Sequence, residues 1–284
     1  MSDNETVTHH RVCHLCEAMC GLVIQTEGER VVDIRGDRAD PLSRGHICPK
    51  AVALQDIHED PDRLRKPLKR VRSAPGVYHH EAIEWGEAFD LAADALATTI
   101  RDHGVDAVGA YFGNPAVHNY GMLTHQRNLF RHIRTRNRFS ATSVDQLPHH
   151  LVSLWCFGHM LLQPIPDVDR THYFLMLGAN PLASNGSLWT VPDVRRRLKD
   201  LRARGGKLVV IDPRRTETAE MASEHHFIKP GTDATFLLAM IHVLFRDGLV
   251  DPGAMTSHTD GVDEVGAAVT ELTPQWAEER TGIA

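Results

Sequence analysis

No run of eighteen apolar residues occurs in the sequence, so nothing in it reads as a membrane span. Nor is there an excess of positive charge. Lys and Arg number 31 against 37 Asp and Glu, a net charge of −6, which argues against general nucleic-acid binding. The first dozen residues are polar, with neither the apolar stretch of an export signal nor a twin-arginine pair. The cytoplasm is therefore the expected location. Internal repeats and low-complexity tracts are also missing. What is present, 284 residues of which 42% are hydrophobic, suits about two globular domains with a sizeable core. Cysteine is scarce at five residues, and an odd count in so long a chain disfavours a disulfide framework.

That scarcity makes the placement of the cysteines informative. Four of the five, Cys13, Cys16, Cys20 and Cys48, lie between His9 and Lys50. Their pattern is C-x2-C-x3-C-x27-C, closed by Cys48-Pro49-Lys50. The long gap contains two short β-type runs, Leu22-Val23-Ile24 and Val31-Val32-Asp33-Ile34, with a turn signal at Glu27-Gly28-Glu29 between them. Four soft anionic ligands converging on one point suit an iron–sulfur cluster or a zinc ion. Zinc sites usually take their ligands as two separated pairs. Here the division is three plus one, which favours one face of an iron–sulfur cubane and leaves structural zinc as the rival.

Cys13-x2-Cys16-x3-Cys20-Gly21, followed by Gly45-His46-Ile47-Cys48-Pro49-Lys50, resembles the amino-terminal cluster domain of the molybdopterin (bis-guanine-dinucleotide) oxidoreductases. Formate dehydrogenases, periplasmic-type nitrate reductases and arsenite oxidases belong to that superfamily. The resemblance implies a [4Fe-4S] cluster on the four cysteines. It also implies that Lys50, two residues after the last of them, sits between cluster and pterin on the path of electron transfer. A cation there would favour the reduced, more negative cluster. Arg63, Leu64, Pro67 and Leu68 match the family's R-L-x-x-P-L, within a charged stretch (59–72) that reads as a linker.

Beyond it the apolar period changes. Trp85 opens a helix whose Phe89, Ala92, Leu96 and Ile100 keep three- and four-residue spacing, and Gly104 ends it. A strand is expected from Val105 to Phe112, a helix from Tyr120 to Arg134, and a short strand near Phe139. A helix near His149–Met160 and a strand over Tyr173–Leu177 come after these. Next come a helix over Asp193–Arg204, a strand over Leu208–Ile211 and a helix over Ala234–Arg246. Alternating strands and helices predict an α/β fold with parallel sheets. The expected plan is a small β-rich [4Fe-4S] domain (residues 1–59) followed by doubly wound parallel-sheet domains. The first of these starts over 60–138, and a molybdopterin-dinucleotide-binding domain spans 139–284, ending midway through a helical region.

In such sheets ligand groups gather beyond the carboxyl ends of the strands. Three loops there carry suitable chemistry: Gly178-Ala179-Asn180-Pro181 with Ser184, Asn185 and Ser187 beyond, Asp212 to Thr218, and Pro230-Gly231-Thr232-Asp233. In order they resemble the family's G-x-N-P, D-P-R-x-T-E-T-A and P-G-T-D signatures. The resemblance assigns Asn180, Asp212, Arg214, Thr216, Gly231, Thr232 and Asp233 to one guanine dinucleotide, with Asn114 a further candidate near the pterin. The family often places a cysteine, selenocysteine or serine on molybdenum six residues after the aspartate of an S-V-D-like segment. Counting from Asp145 in Ser143-Val144-Asp145, that position is Leu151, which cannot ligate a metal. Either the metal has only dithiolene and oxo or hydroxo ligands, or His149 or His150 turns toward it. Leu151 and Val152 also replace the pair typical of formate oxidation. Cys156, in the apolar run Leu154-Trp155-Cys156-Phe157, reads as a free buried cysteine. The histidine doublets read as surface or satisfied core residues, and the basic helix Arg195 to Arg204 as a solvated face.

The activity implied is two-electron oxidation or reduction, or oxygen-atom transfer, on a small substrate. Its cofactors are a molybdenum (or tungsten) bis(molybdopterin guanine dinucleotide) and one [4Fe-4S] cluster, with a redox partner protein or electron-transfer subunit beyond them. Family members run far longer, so the isolated chain is expected to lack turnover. Two other classes stay open: a zinc-stabilised nucleotide-binding module, and a cluster-bearing electron carrier without its own active site.

Overall fold

The computed structural model describes residues 5–186 and 189–284, apart from the side chains of Asn114 and Pro115. The chain divides into two compact units, Met1–Ile165 and Pro166–Ala284. The first opens with an antiparallel sheet of β1 (Thr6–Val12), β2 (Gly21–Glu27) and β3 (Arg30–Gly36). β2 and β3 are the expected hairpin, turning at Gly28 in a left-handed conformation (φ 60°). Strand β1, absent from the sequence reading, pairs along all of β2, Thr6 with Glu27 through Val12 with Gly21. Its polar, mostly exposed residues form an edge strand. Leu22, Ile34, Ala18 and Ala51 pack with Cys13 and Cys20 into a small core. Helices α1 (Pro49–Val52) and α2 (Leu54–Glu59) complete this part.

The stretch expected to be a linker is partly a strand. Leu68–Ala74 (β4) pairs antiparallel with Val77–Ala82 (β5) around Gly76, whose φ is 77°. Charge misled the reading: in a two-stranded ribbon both faces can stay wet, so no apolar alternation is needed. Helix α3 (Trp85–His103) ends at Gly104 (φ 86°) as expected. The strand expected over Val105–Phe112 is shorter. A 3-10 turn takes Val105–Ala107, and only Ala110–Phe112 (β6) is extended. Helix α4 (Tyr120–Ile133) is capped by Asn119, whose Oδ1 accepts from the Met122 N–H at 2.9 Å. It leads to β7 (Arg138–Ser140), parallel to β6, and then to α5 (Leu147–Phe157). On α5, Trp155 is 73% exposed and Cys156 is exposed. Cys156 is therefore not the buried thiol expected from its apolar neighbours, because no described element covers that face of the helix.

The second unit is built on a parallel sheet of β8 (Tyr173–Leu177), β9 (Lys207–Ile211) and β10 (Glu224–His226), with β9 central. Between them run α6 (Pro181–Ser184), α7 (Val194–Ala203) and α8 (Glu217–Met221). Helices α9 (Asp233–Arg246), α10 (Val262–Ala268) and α11 (Pro274–Thr281) come last. Leu208 and Val210 are fully buried with Leu198 and Leu201 of α7. Each such leucine contributes about 1.5–3 kcal/mol of hydrophobic stabilisation. The basic helix α7 is not wholly solvated, as the sequence suggested. Arg197 is 7% exposed and its Nη1 donates to Asp169 Oδ2 at 2.7 Å, while Arg204 Nη2 donates to Thr171 O at 2.8 Å. Asp169 lies 28 residues away in sequence, beyond any local pattern.

Two glycines decide how closely the cluster part packs. A Cβ on Gly36 would stand 2.1 Å from Gly45 O, and one on Gly21 2.6 Å from Asp40 Cβ. Gly36→Ala is therefore expected to destabilise the chain by about 1–3 kcal/mol, the usual cost of overpacking. Gly86→Ala meets nothing within 4 Å and is the control. Urea denaturation of the two variants checks the difference.

Candidate metal and cofactor site

In the first unit the loop from Cys13 to Cys20 is closed at its base by the Cys13 N–H donating to Cys20 O at 2.8 Å. Inside it, Met19 takes a positive φ of 48° and its N–H donates to Cys16 O. Cys13 and Cys20 are buried and Cys16 and Cys48 half-buried, with Cys48 extended immediately before α1. The segment bearing Cys48 is tied down by Ser43 and Asp40. Ser43 is fully buried and its Oγ accepts from the Gly21 N–H at 3.1 Å. Asp40 Oδ2 accepts from both the Ser43 hydroxyl and the Ser43 N–H, each at 2.6 Å. These bonds place the fourth cysteine against the loop of the first three. The Asp40-x2-Ser43 spacing is a legible turn signal that the sequence reading left unused.

The four sulfurs influence one another. Burial pushes the Cys20 thiol up to about 11, helped by Cys13, Cys16 and Cys48. Burial likewise raises Cys13, with Cys16 and Cys48 adding to it and a backbone hydrogen bond at Leu15 opposing. Yet among the described residues no three Cys, His, Asp or Glu side chains are disposed to hold one metal ion. A tetrahedral zinc with Zn–S bonds near 2.3 Å would need its sulfurs roughly 3.8 Å apart. Four cysteines whose thiolate forms would influence one another are a donor set for a thiolate-ligated metal centre. A cationic iron–sulfide core would also offset the charge that burial penalises. Lys50 is exposed on α1 and makes no ion pair among the described residues.

One neighbour of this loop was not anticipated. His118, beyond the carboxyl end of β6, approaches Glu17, with Nε2 3.8 Å from Oε1. That nitrogen is buried and has no hydrogen-bond partner among the described residues. An orphaned buried nitrogen beside the cysteine loop is a place where a further group would be satisfied. The remaining candidates of this unit are less gathered. His149 is exposed and His150 half-buried on the first turn of α5, and neither joins a ligand cluster among the described residues. The side chain of Asn114 lies outside the described residues.

In the second unit the parallel sheet brings the three candidate loops to one edge. Asn180, after β8, is locked to the start of α8: its Nδ2 donates to Glu217 Oε2 at 2.8 Å, and its Oδ1 accepts from Thr218 Oγ at 2.7 Å. Asp212, at the end of β9, is buried, and its Oδ1 accepts from the Arg214 N–H at 2.8 Å. Thr216 is buried and caps α8, its Oγ accepting from the Ala219 N–H. Arg214 itself is exposed. After β10, Gly231 turns with φ 80° and the Thr232 hydroxyl donates to Lys229 O at 2.7 Å, with Asp233 opening α9. The result is a polar rim with two exposed arginines, Arg214 and Arg215, and two helix starts, able to take an anionic, hydrogen-bonding ligand. Glu217 and Thr218, which hold Asn180, were within the motif but not singled out. Ser187 lies outside the described residues.

Residues 63–270 match the molybdopterin oxidoreductase family, and residues 6–59 match the molybdopterin oxidoreductase Fe4S4 domain. The chain belongs to this family. It is 25% identical over 273 residues to the F420-dependent formate dehydrogenase subunit alpha of Methanocaldococcus jannaschii, covering 96% of this chain and 38% of that protein. Against a nitrate reductase of Shewanella frigidimarina it is 28% identical, covering 95% and 28%. Among solved structures it is similar to acetylene hydratase from Pelobacter acetylenicus, with a TM-score of 0.75, 27% identity and coverage of 97% and 37%. The chain thus spans about two fifths or less of the length of these relatives. The Fe4S4 and molybdopterin domains carry with them the [4Fe-4S] cluster and molybdopterin as cofactors. No helix among the described residues is long and apolar enough to cross a membrane.

Two outcomes test the local geometry. Asp40 is held below the usual carboxylate range, by the Ser43 hydroxyl first and the Ser43 N–H second. Because its folded value is depressed, its stabilising contribution is complete above about pH 4 and lost as pH falls through the folded value. The stability gap between the native chain and Asp40→Asn should therefore be largest near neutrality and close in acid, as read by unfolding at a series of pH values. Thr216→Ala is expected to remove about 1 kcal/mol as a lost helix cap, and Thr216→Ser to restore most of it; thermal unfolding checks both.

Proposed function

We propose that the chain provides the cluster-bearing and dinucleotide-binding part of a molybdenum (or tungsten) bis-pterin oxidoreductase. Its reaction is a two-electron oxidation or reduction, or an oxygen-atom transfer, on a small substrate. The observation that carries this reading is the C-x2-C-x3-C-x27-C set of Cys13, Cys16, Cys20 and Cys48, which lies inside the region matching the molybdopterin oxidoreductase Fe4S4 domain. Cys13, Cys16, Cys20 and Cys48 hold one [4Fe-4S] cluster, which supplies one-electron transfer, and Lys50 is the cation beside it. Asn180, Asp212, Arg214, Thr216, Gly231, Thr232 and Asp233 hold one guanine dinucleotide, with Asn114 near the pterin. His149 and His150 are the candidate side chains toward the metal, Leu151 being unable to bind it. The domain plan proposed is a cluster domain over 1–59 and α/β domains over 60–138 and 139–284.

The named relatives act on unlike molecules, so family membership does not fix the substrate. A redox partner protein or electron-transfer subunit is part of the proposal, supported by a relative that is by name an alpha subunit. The test is anaerobic purification of the complete gene product, with molybdenum, tungsten and guanine nucleotide quantified and electron transfer to a viologen dye measured. The expected result is molybdenum or tungsten with two guanine nucleotides per metal. Dye reduction should be lost in Cys48→Ala while the nucleotide is retained. Iron and sulfide with neither metal nor guanine nucleotide would leave an electron carrier and refute the enzyme reading.

A further inference from the structure

Glu17 puts a carboxylate inside the three-cysteine loop, one residue after Cys16. Negative charge there works against thiolates and against a cluster that gains an electron. The Glu17 side chain is only 24% exposed, so water screens that charge incompletely. An offsetting group arrives from far along the chain. His118 Nε2 stands 3.8 Å from Glu17 Oε1, and the His118 side chain is 16% exposed. Among the described residues neither side chain has another ion-pair or hydrogen-bond partner, and His118 Nε2 is buried.

Each partner is fixed by its own segment. His118 lies between a 3-10 turn, Asn114–Val117, and Asn119, whose Oδ1 caps α4 by accepting from the Met122 N–H at 2.9 Å. The connection starts from β6, tied to its neighbour by the Ala110 N–H donating to Asn137 O at 2.8 Å. Glu17 is carried by the loop that the Cys13 N–H to Cys20 O bond closes. An exposed histidine–glutamate pair between mobile side chains would contribute little. This one is mostly covered, is held from both ends, and adjoins residues that bear the cluster. An imidazole nitrogen facing a carboxylate offsets part of its charge, and so weakens the field that opposes reduction next door.

We propose that His118 and Glu17 form a charge-compensating pair that sets the reduction potential of the adjoining cluster, with His118 a positioning residue that acts through Glu17. This rests on the cluster assigned to Cys13, Cys16, Cys20 and Cys48. The test is a redox titration of the anaerobically purified complete gene product, followed by electron paramagnetic resonance, with iron and sulfide counted in every variant. Glu17→Gln should raise the potential and His118→Leu should lower it. Each shift is expected to be about tenfold in the reduction equilibrium, or about 59 mV for a one-electron couple. The double variant Glu17→Gln/His118→Leu should return close to the native value. His118→Gln keeps an N–H donor and should fall between the native protein and His118→Leu; it decides the sign if His118→Leu does not fold. His125→Gln removes an exposed imidazole from α4 and should leave the potential unchanged. A merely structural tie would not move the two single variants in opposite directions. Native protein without iron and sulfide would overturn the cluster assignment and this proposal with it. A native cluster whose potential is the same in both single variants, or shifts the same way in both, would overturn this proposal alone.

Discussion

Cys20 must surrender a proton that burial and three neighbouring sulfurs hold up to about pH 11 before it can bind a metal. That opposition is built into the first fifty residues. The Cys13 N–H to Cys20 O bond draws the loop shut, the Asp40–Ser43 clamp presses the Cys48 segment against it, and Gly21 and Gly36 permit the close approach. Together they hold the cysteines near one another in a partly desolvated place. A cationic core would neutralise the sulfurs once they are deprotonated, and metal binding and proton release would then be one event. Burying the thiols also protects whatever they hold from water.

The second unit solves a different problem with ordinary means. A hydrophobic sheet centred on β9 places three loops on one edge, and polar side chains inside the loops hydrogen-bond one another instead of reaching outward. Asn180, Asp212 and Thr216 therefore act first on backbone and neighbours, fixing the rim. Arg214 and Arg215 on the same loop stay exposed. The two matched regions of the family cover the cysteine part and most of the α/β remainder of the chain.

Much of this was legible in the residues, and the failures have physical causes. Strand β8 is a five-residue apolar run stopped by Gly178, and α3 is amphipathic and ends at Gly104, so local pattern and tertiary structure agree. Strands β1 and β4 escape a reading by apolar alternation because edge and ribbon strands need no apolar face. Arg197 looked solvated because its partner Asp169 is distant in sequence, and Cys156 looked buried because apolar neighbours do not guarantee a covering element. The cysteine pattern gave candidate ligands but not the Asp40–Ser43 clamp on the segment that leads to Cys48. Nor did it reveal His118, whose approach to Glu17 spans about a hundred residues and left no local trace.

The central claim is that the four sulfurs surround a polynuclear iron–sulfur core. Iron, sulfide and zinc determined on the anaerobically purified protein, together with electron paramagnetic resonance after dithionite reduction, test it most directly. Equal amounts of iron and sulfide with a signal of a reduced cubane are expected, all abolished by Cys20→Ala. Stoichiometric zinc with neither iron nor sulfide would contradict the account.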